Sequence, residues 1–192
     1  VCLAIHAHYA RAREALQKID GLFSPRGGIE AVANPPPLDP QKPTAVFFVG
    51  KNRGVGMHAF LWVQRLFAGH FKNYVFLSVG EVDAQSYNGP GALRTLQYEI
   101  ENSLRYYVNY CHAHGLAAKS ECAFGADPVA ELMKLTERTA AEFPNSVCFA
   151  SKLIFARDHV LTRWLHNQTA LALQTRLHLQ GIQTVILPMK VE

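Results

Sequence analysis

Long apolar runs are missing from this chain: none of its 192 residues belongs to a stretch long enough to cross a bilayer as a helix. No secretory signal pattern is expected from its opening residues. Cysteine is scarce. Cys2, Cys111, Cys122 and Cys148 show no C-x-x-C spacing, which argues against a disulfide framework or a cysteine-built zinc site. Cys122 and Cys148 fall in strand-like apolar runs and read as buried thiols. Charge of one sign is not concentrated either. The net charge is +4 and the basic residues are scattered, so no nucleic-acid-binding face is expected. Nine histidines are present, but no G-x-S-x-G elbow, H-E-x-x-H pair or close carboxylate pair accompanies them. No Gly-Lys-Ser/Thr follows a glycine-rich turn, which removes a P-loop.

What is present points to one core. Apolar residues make up 49% of the chain, enough for a single domain plus an extension. Residues 1–23 have helical character and are expected to form an N-terminal extension. Val1–Ile5, followed by His6, His8, Arg11 and Arg13, reads as the last turn of a membrane helix entering the cytoplasm. An ordinary amphipathic helix start fits the same residues equally well. The stretch 24–43 carries Pro25, Gly27, Gly28, Pro35, Pro36, Pro37 and Pro40, and is expected to be a linker. The domain proper is expected over 44–192.

There the pattern alternates. Strand-like runs occupy 44–50, 73–82, 116–124, 146–151 and 182–190, with helical windows at about 57–68, 91–114, 127–142 and 160–180 between them. The first and last strands are continuous apolar runs, as in strands covered on both faces. The expected fold is α/β: a mostly parallel, doubly wound, five-stranded sheet. Asp127-Pro128 is a helix start, and Gly115 and Gly181 are helix stops. The apolar strand at 184–189 needs covering if it lies at a sheet edge, and a second copy of the chain is one cover.

Two segments carry the candidate chemistry. The first runs from the end of the first strand through Gly50, Lys51, Asn52, Arg53, Gly54 and Gly56 into a helix. Such a turn lies at the carboxyl edge of the sheet, where ligands bind, and a helix N-terminus beside basic residues favours an anion. Gly54-Val55-Gly56-Met57-His58-Ala59 also matches the dinucleotide pattern G-x-G-x-x-A, with Glu81 and Asp83 near a ribose acid's place. Against it, the loop from Gly50 to Gly56 is long for that turn. The plain alternative is that the glycines relieve close helix–strand packing while Lys51 and Arg53 are solvated. The second segment brings Ser151 and Lys152, at the end of the fourth strand, and His166 and Asn167, ahead of the last helix. Together they describe a cationic, amide-rich pocket, or merely a capped helix with a surface histidine. A small enzyme using His166 as base is a third alternative. Tyr106, Tyr107 and Tyr110 fall at helical spacing and read as packing residues.

Set beside one another, the first strand, Gln64–Asn73 and Trp164–Ala170 resemble the C-terminal cytoplasmic domain of some bacterial permeases of the amino acid–polyamine–organocation superfamily. Ala4–Tyr9 resembles the exit from that family's last membrane helix. The resemblance implies a fold similar to universal stress proteins and a non-catalytic regulatory module of an amino-acid or potassium permease. It implies a place on the cytoplasmic side of the bacterial inner membrane, with the transporter's own transmembrane domain as partner and a homodimer as the assembly. A nucleotide or cyclic dinucleotide is the implied ligand, and no other cofactor is. A stand-alone nucleotide-binding stress-type protein is the alternative. The stress-protein ATP pattern itself does not carry over. Gly50-Lys51 replaces its acid, Ser151–Asn167 has no glycine, and Asn167 stands in place of the phosphate-contacting serine.

Overall fold

The computed structural model describes residues 31–50, 52–82, 90–155 and 173–191. Five strands form one sheet: β1 (Thr44–Phe48), β2 (Asn73–Glu81), β3 (Ala117–Gly125), β4 (Ser146–Phe155) and β5 (Thr184–Val191). All pairings are parallel and the order is β3-β2-β1-β4-β5. Helices α1 (Arg53–Leu66), α2 (Pro90–Ala113) and α3 (Pro128–Glu142) fall between strands, and a helical stretch at 173–179, α4, precedes β5. The fold is the expected doubly wound α/β sheet.

Alternation along each strand divides the core into two layers. Ala45 and Phe47 of β1 join Tyr74 and Phe76 of β2 beneath Met57, Phe60 and Val63 of α1 and Leu104 and Tyr107 of α2. Val46, Val75 and Leu77 face the other way, against Met133 and Leu135 of α3 and Leu173 and Leu177 of α4. Burial on both faces is why β1 reads as an unbroken apolar run. Phe47 is the centre of the first layer. Its ring stacks on Phe76 at 5.5 Å and on Phe149 at 5.4 Å, its register partners on β2 and β4, and meets Phe60 edge-on at 5.7 Å.

The helix ends follow their local chemistry. Asp127 accepts hydrogen bonds from the Val129 and Ala130 amides, with Pro128 opening α3. Gly115 and Gly181 adopt φ of +70° and +77°, the left-handed conformation that stops a helix.

Two boundaries differ from the sequence pattern. Helix α1 begins at Arg53, not near residue 57, so Gly54 and Gly56 are helical and few residues separate β1 from α1. Strand β4 continues past Ser151 to Phe155, because Lys152–Phe155 keep pairing with Pro188–Val191 of β5. Cys111 and Cys148 are buried, and burial pushes each thiol up to about 12; Cys122 is half-buried. Among the described residues no helix is long and apolar enough to cross a membrane.

Candidate functional site

Among the described residues, the carboxyl edge of the sheet is notched above β1. Phe48, its last residue, is in register with Leu77 of β2 and Ala150 of β4. Both neighbours run on, β2 through Ser78–Glu81 and β4 through Ser151–Phe155. This gap lies between β2 and β4, beside the β1–β4 boundary where the strand order reverses, the position at which open α/β sheets bind ligands.

The turn into α1 forms the floor. The Val49 amide donates to the Leu77 carbonyl at 2.9 Å, drawing the chain toward β2. Gly50 is exposed, and a Cβ there would meet nothing within 4 Å. Asn52 is the N-cap of α1 in an extended conformation (φ −84°, ψ 103°), and its side chain makes no capping hydrogen bond. The first turn of α1 contains no acidic residue. Helix α3 provides the contrast, with the Asp127 cap and Glu131 in its first turn. The positive end of α1 is therefore not offset by its own side chains.

Arg53 opens α1 and turns toward α2, its guanidinium carbon 5.4 Å from the centroid of the Tyr106 ring. Tyr107, beside it, is fully buried and donates from its hydroxyl to the Arg53 carbonyl at 3.0 Å. Gly56 makes room for that contact: a Cβ there would lie 2.3 Å from the Tyr107 Oη. The second glycine of the G-x-G-x-x-A pattern thus serves close packing, but against α2 and not against a strand as the sequence suggested.

The expected site residues divide accordingly. Gly50, Asn52, Arg53 and Gly54 gather at the turn and the first turn of α1, while Gly56 faces Tyr107. Ser151 is half-buried on β4 just beyond the level of Phe48, and Lys152 follows it in the strand. Lys51, Asp83, His166 and Asn167 lie outside the described residues. Tyr106 and Tyr107 are the contributors that sequence reasoning read only as packing. Their partner is 54 positions away from Tyr107, a distance no local pattern reports.

Among the described residues no group of His, Cys, Asp and Glu is placed to hold a metal ion. His112 and His114 donate to the backbone carbonyls of Ala118 and Tyr110 at 3.1 and 2.8 Å. A separate groove of about 440 Å³ opens between α2 and β3, lined in part by Glu101, Arg105, Lys119 and Glu121. Lys119 pairs there with Glu121 and with Glu142, and Arg138 with Glu121, so its strand-side charges are internally matched. A scan against protein-family models finds no match for the chain, and a search of curated proteins finds none.

Proposed function

We propose that this chain is a non-catalytic sensor domain that holds a small anion in the notch above β1. The observation that carries the reading is the N-terminus of α1. It follows the end of β1 at the carboxyl edge of the sheet, its N-cap Asn52 makes no side-chain capping hydrogen bond, its first turn holds no acid, and Arg53 is its first residue. Backbone amides and a helix dipole there suit phosphate or carboxylate oxygens. Following the resemblance in sequence, we place the domain on the cytoplasmic side of the bacterial inner membrane, as the regulatory module of an amino-acid or potassium permease. A nucleotide or cyclic dinucleotide is the ligand class, and it regulates only by binding two conformations unequally.

Thermal shift with inorganic phosphate, AMP, ATP and cyclic dinucleotides tests the site. A ligand present at about 100 times its Kd raises stability by about 2.7 kcal/mol. The expected result is a melting temperature that climbs with ligand concentration and a shift lost in Lys51→Ala/Arg53→Ala. No shift at millimolar ligand, or one unchanged in that variant, defeats the reading. The permease assignment is tested separately by the coding sequence upstream of Val1, which should encode several apolar segments of about 20 residues. A reading frame that starts close to Val1 overturns it.

The homodimer is assigned to the β5 edge. Val185 (41% exposed) is in register with Phe149, and Phe149 meets Phe67 at 6.5 Å. Phe67 (44%) and its neighbour Leu66 (52%) are further exposed apolar residues near the same buried Phe149, and a second copy against this edge would cover them with Val185. Sedimentation over a range of concentrations should show a dimer that Val185→Lys dissociates. A monomer at every concentration refutes the assignment.

A further inference from the structure

The end of the proline-rich stretch is fastened to the amino edge of the sheet chiefly through the Asn73 side chain. Asn73, the first residue of β2, is 1% exposed. Its Oδ1 accepts from the Asp39 amide at 3.0 Å, and its Nδ2 donates to the Asp39 carbonyl at 2.7 Å and to Thr44 Oγ1 at 2.9 Å. The carboxamide therefore pairs with the backbone of Asp39 on both sides, as a neighbouring strand would. Thr44 Oγ1 passes the connection on by donating to the Lys42 carbonyl at 3.0 Å. Asn145 Nδ2 donates to the Gln41 carbonyl at 3.0 Å, and a tight turn brings the Lys42 amide to the Asp39 carbonyl at 3.0 Å.

Apolar support for this segment is thin. Leu38 is partly buried against the layer formed with α3 and α4, whereas Asp39, Pro40, Gln41 and Lys42 are exposed. Segments with few buried apolar contacts and exposed hydrogen bonds open at lower free energy than the core around them. Pro40 and Pro43 act in the opposite direction. They restrict the released chain and so limit the entropy gained by opening.

We propose that residues 38–43 form a strap latched by Asn73, which opens as a unit while the five-stranded sheet stays folded. Any pull on the chain before residue 38 would reach the sheet through this latch, at the starts of β1 and β2. The proposal does not depend on what the notch binds. Its polar half resides in Asn73 and its apolar half in Leu38, so the two are tested independently.

Native-state hydrogen exchange on the full chain tests it. In the unmodified protein the Asp39 and Lys42 amides should exchange together, and faster than those of Val46 and Val75. Asn73→Ala removes the latch and should accelerate Asp39 and Lys42 by about tenfold or more relative to Val75. Leu38→Ala should accelerate the same two amides and leave Val75 unchanged, a result available even if Asn73→Ala does not fold. Equal protection of strap and core in the unmodified protein overturns the proposal. So does strap protection that is insensitive to both substitutions.

Discussion

Replacing Gly56 by alanine separates two opposite expectations. In an exposed helix, alanine would gain about 1 kcal/mol over glycine. Here the added Cβ would sit 2.3 Å from Tyr107 Oη, 2.8 Å from its Cζ and 3.0 Å from its Cε1. Tyr107 has little freedom to yield. It is fully buried, its ring stacks on Phe76 at 4.9 Å, and its hydroxyl is held by the Arg53 carbonyl. Overpacking of this kind costs about 1–3 kcal/mol. Pushing the hydroxyl off its acceptor inside the core costs about 1–3 kcal/mol more. After subtracting the propensity gain, Gly56→Ala should destabilise the domain by about 3 kcal/mol. Urea unfolding without ligand measures this as a lower midpoint at constant slope. Tyr107→Phe removes the atom in closest conflict, so the double mutant should lose less than the two single losses combined. A raised midpoint for Gly56→Ala, or strict additivity in the cycle, would refute the packing role of this glycine.

Capping offers a paired comparison: Asp127→Ala should cost about 1 kcal/mol, because two amides lose their acceptor, while Asn52→Ala should cost a few tenths at most, its side chain capping nothing. Chemical denaturation of both variants checks this, and equal losses would contradict the absence of an Asn52 cap on α1. The charge cluster on β3 predicts a pH profile. Desolvation pushes the Glu121 carboxyl up, but hydrogen bonds from Lys119 and Arg138 outweigh it and hold the group below its ordinary value. Desolvation lowers Lys119, and its bonds to Glu142 and Glu121 outweigh that and hold it above its ordinary value. The Glu121 contribution is full above the ordinary value of 4.5 and fades as pH falls through the lowered one. The Lys119 contribution is full below 10.5 and fades as pH rises through the raised one. The stability difference between the parent and Glu121→Gln should therefore be flat between these limits and shrink beyond both; a difference that persists unchanged into strong acid would remove the ion pairs from the account.

How far the sequence carried the fold depends on the range of the determining interaction. The apolar runs at 46–49 and 74–77 announce β1 and β2 because burial on both faces leaves no polar residue within these segments to confuse the period. The start of α1 was not legible. Gly54 and Gly56 lower helix propensity over its first two turns, so the segment reads as loop, and the Tyr107 contact that packs them as helix is tertiary. The end of β4 was hidden for a similar reason, since Ser151-Lys152 interrupts an apolar run whose pairing with β5 nevertheless continues. The turn at Gly50–Gly54 could be found from strand, glycines and basic residues in order. The notch could not, because it depends on β1 being shorter than two neighbours distant in sequence.

That difference in length also bears on what the notch can hold. Among the described residues, the β1-facing backbone groups of β2 and β4 beyond Leu77 and Ala150 run past the end of the strand they both pair with. The Val49 amide answers one of them, the Leu77 carbonyl. Peptide groups at such a gap must meet main chain, water or a polar ligand, since leaving them buried and unpaired costs about 1–3 kcal/mol each. A purely apolar ligand is therefore a poor occupant. An anion with several acceptor oxygens suits the α1 end, where the amides and the dipole converge, and a ligand carrying donors as well would suit the strand ends. Acceptors at one end and donors at the other describe a phosphate joined to a hydrogen-bonding group better than a bare inorganic ion. On this argument a nucleotide should stabilise the domain at lower concentration than inorganic phosphate does.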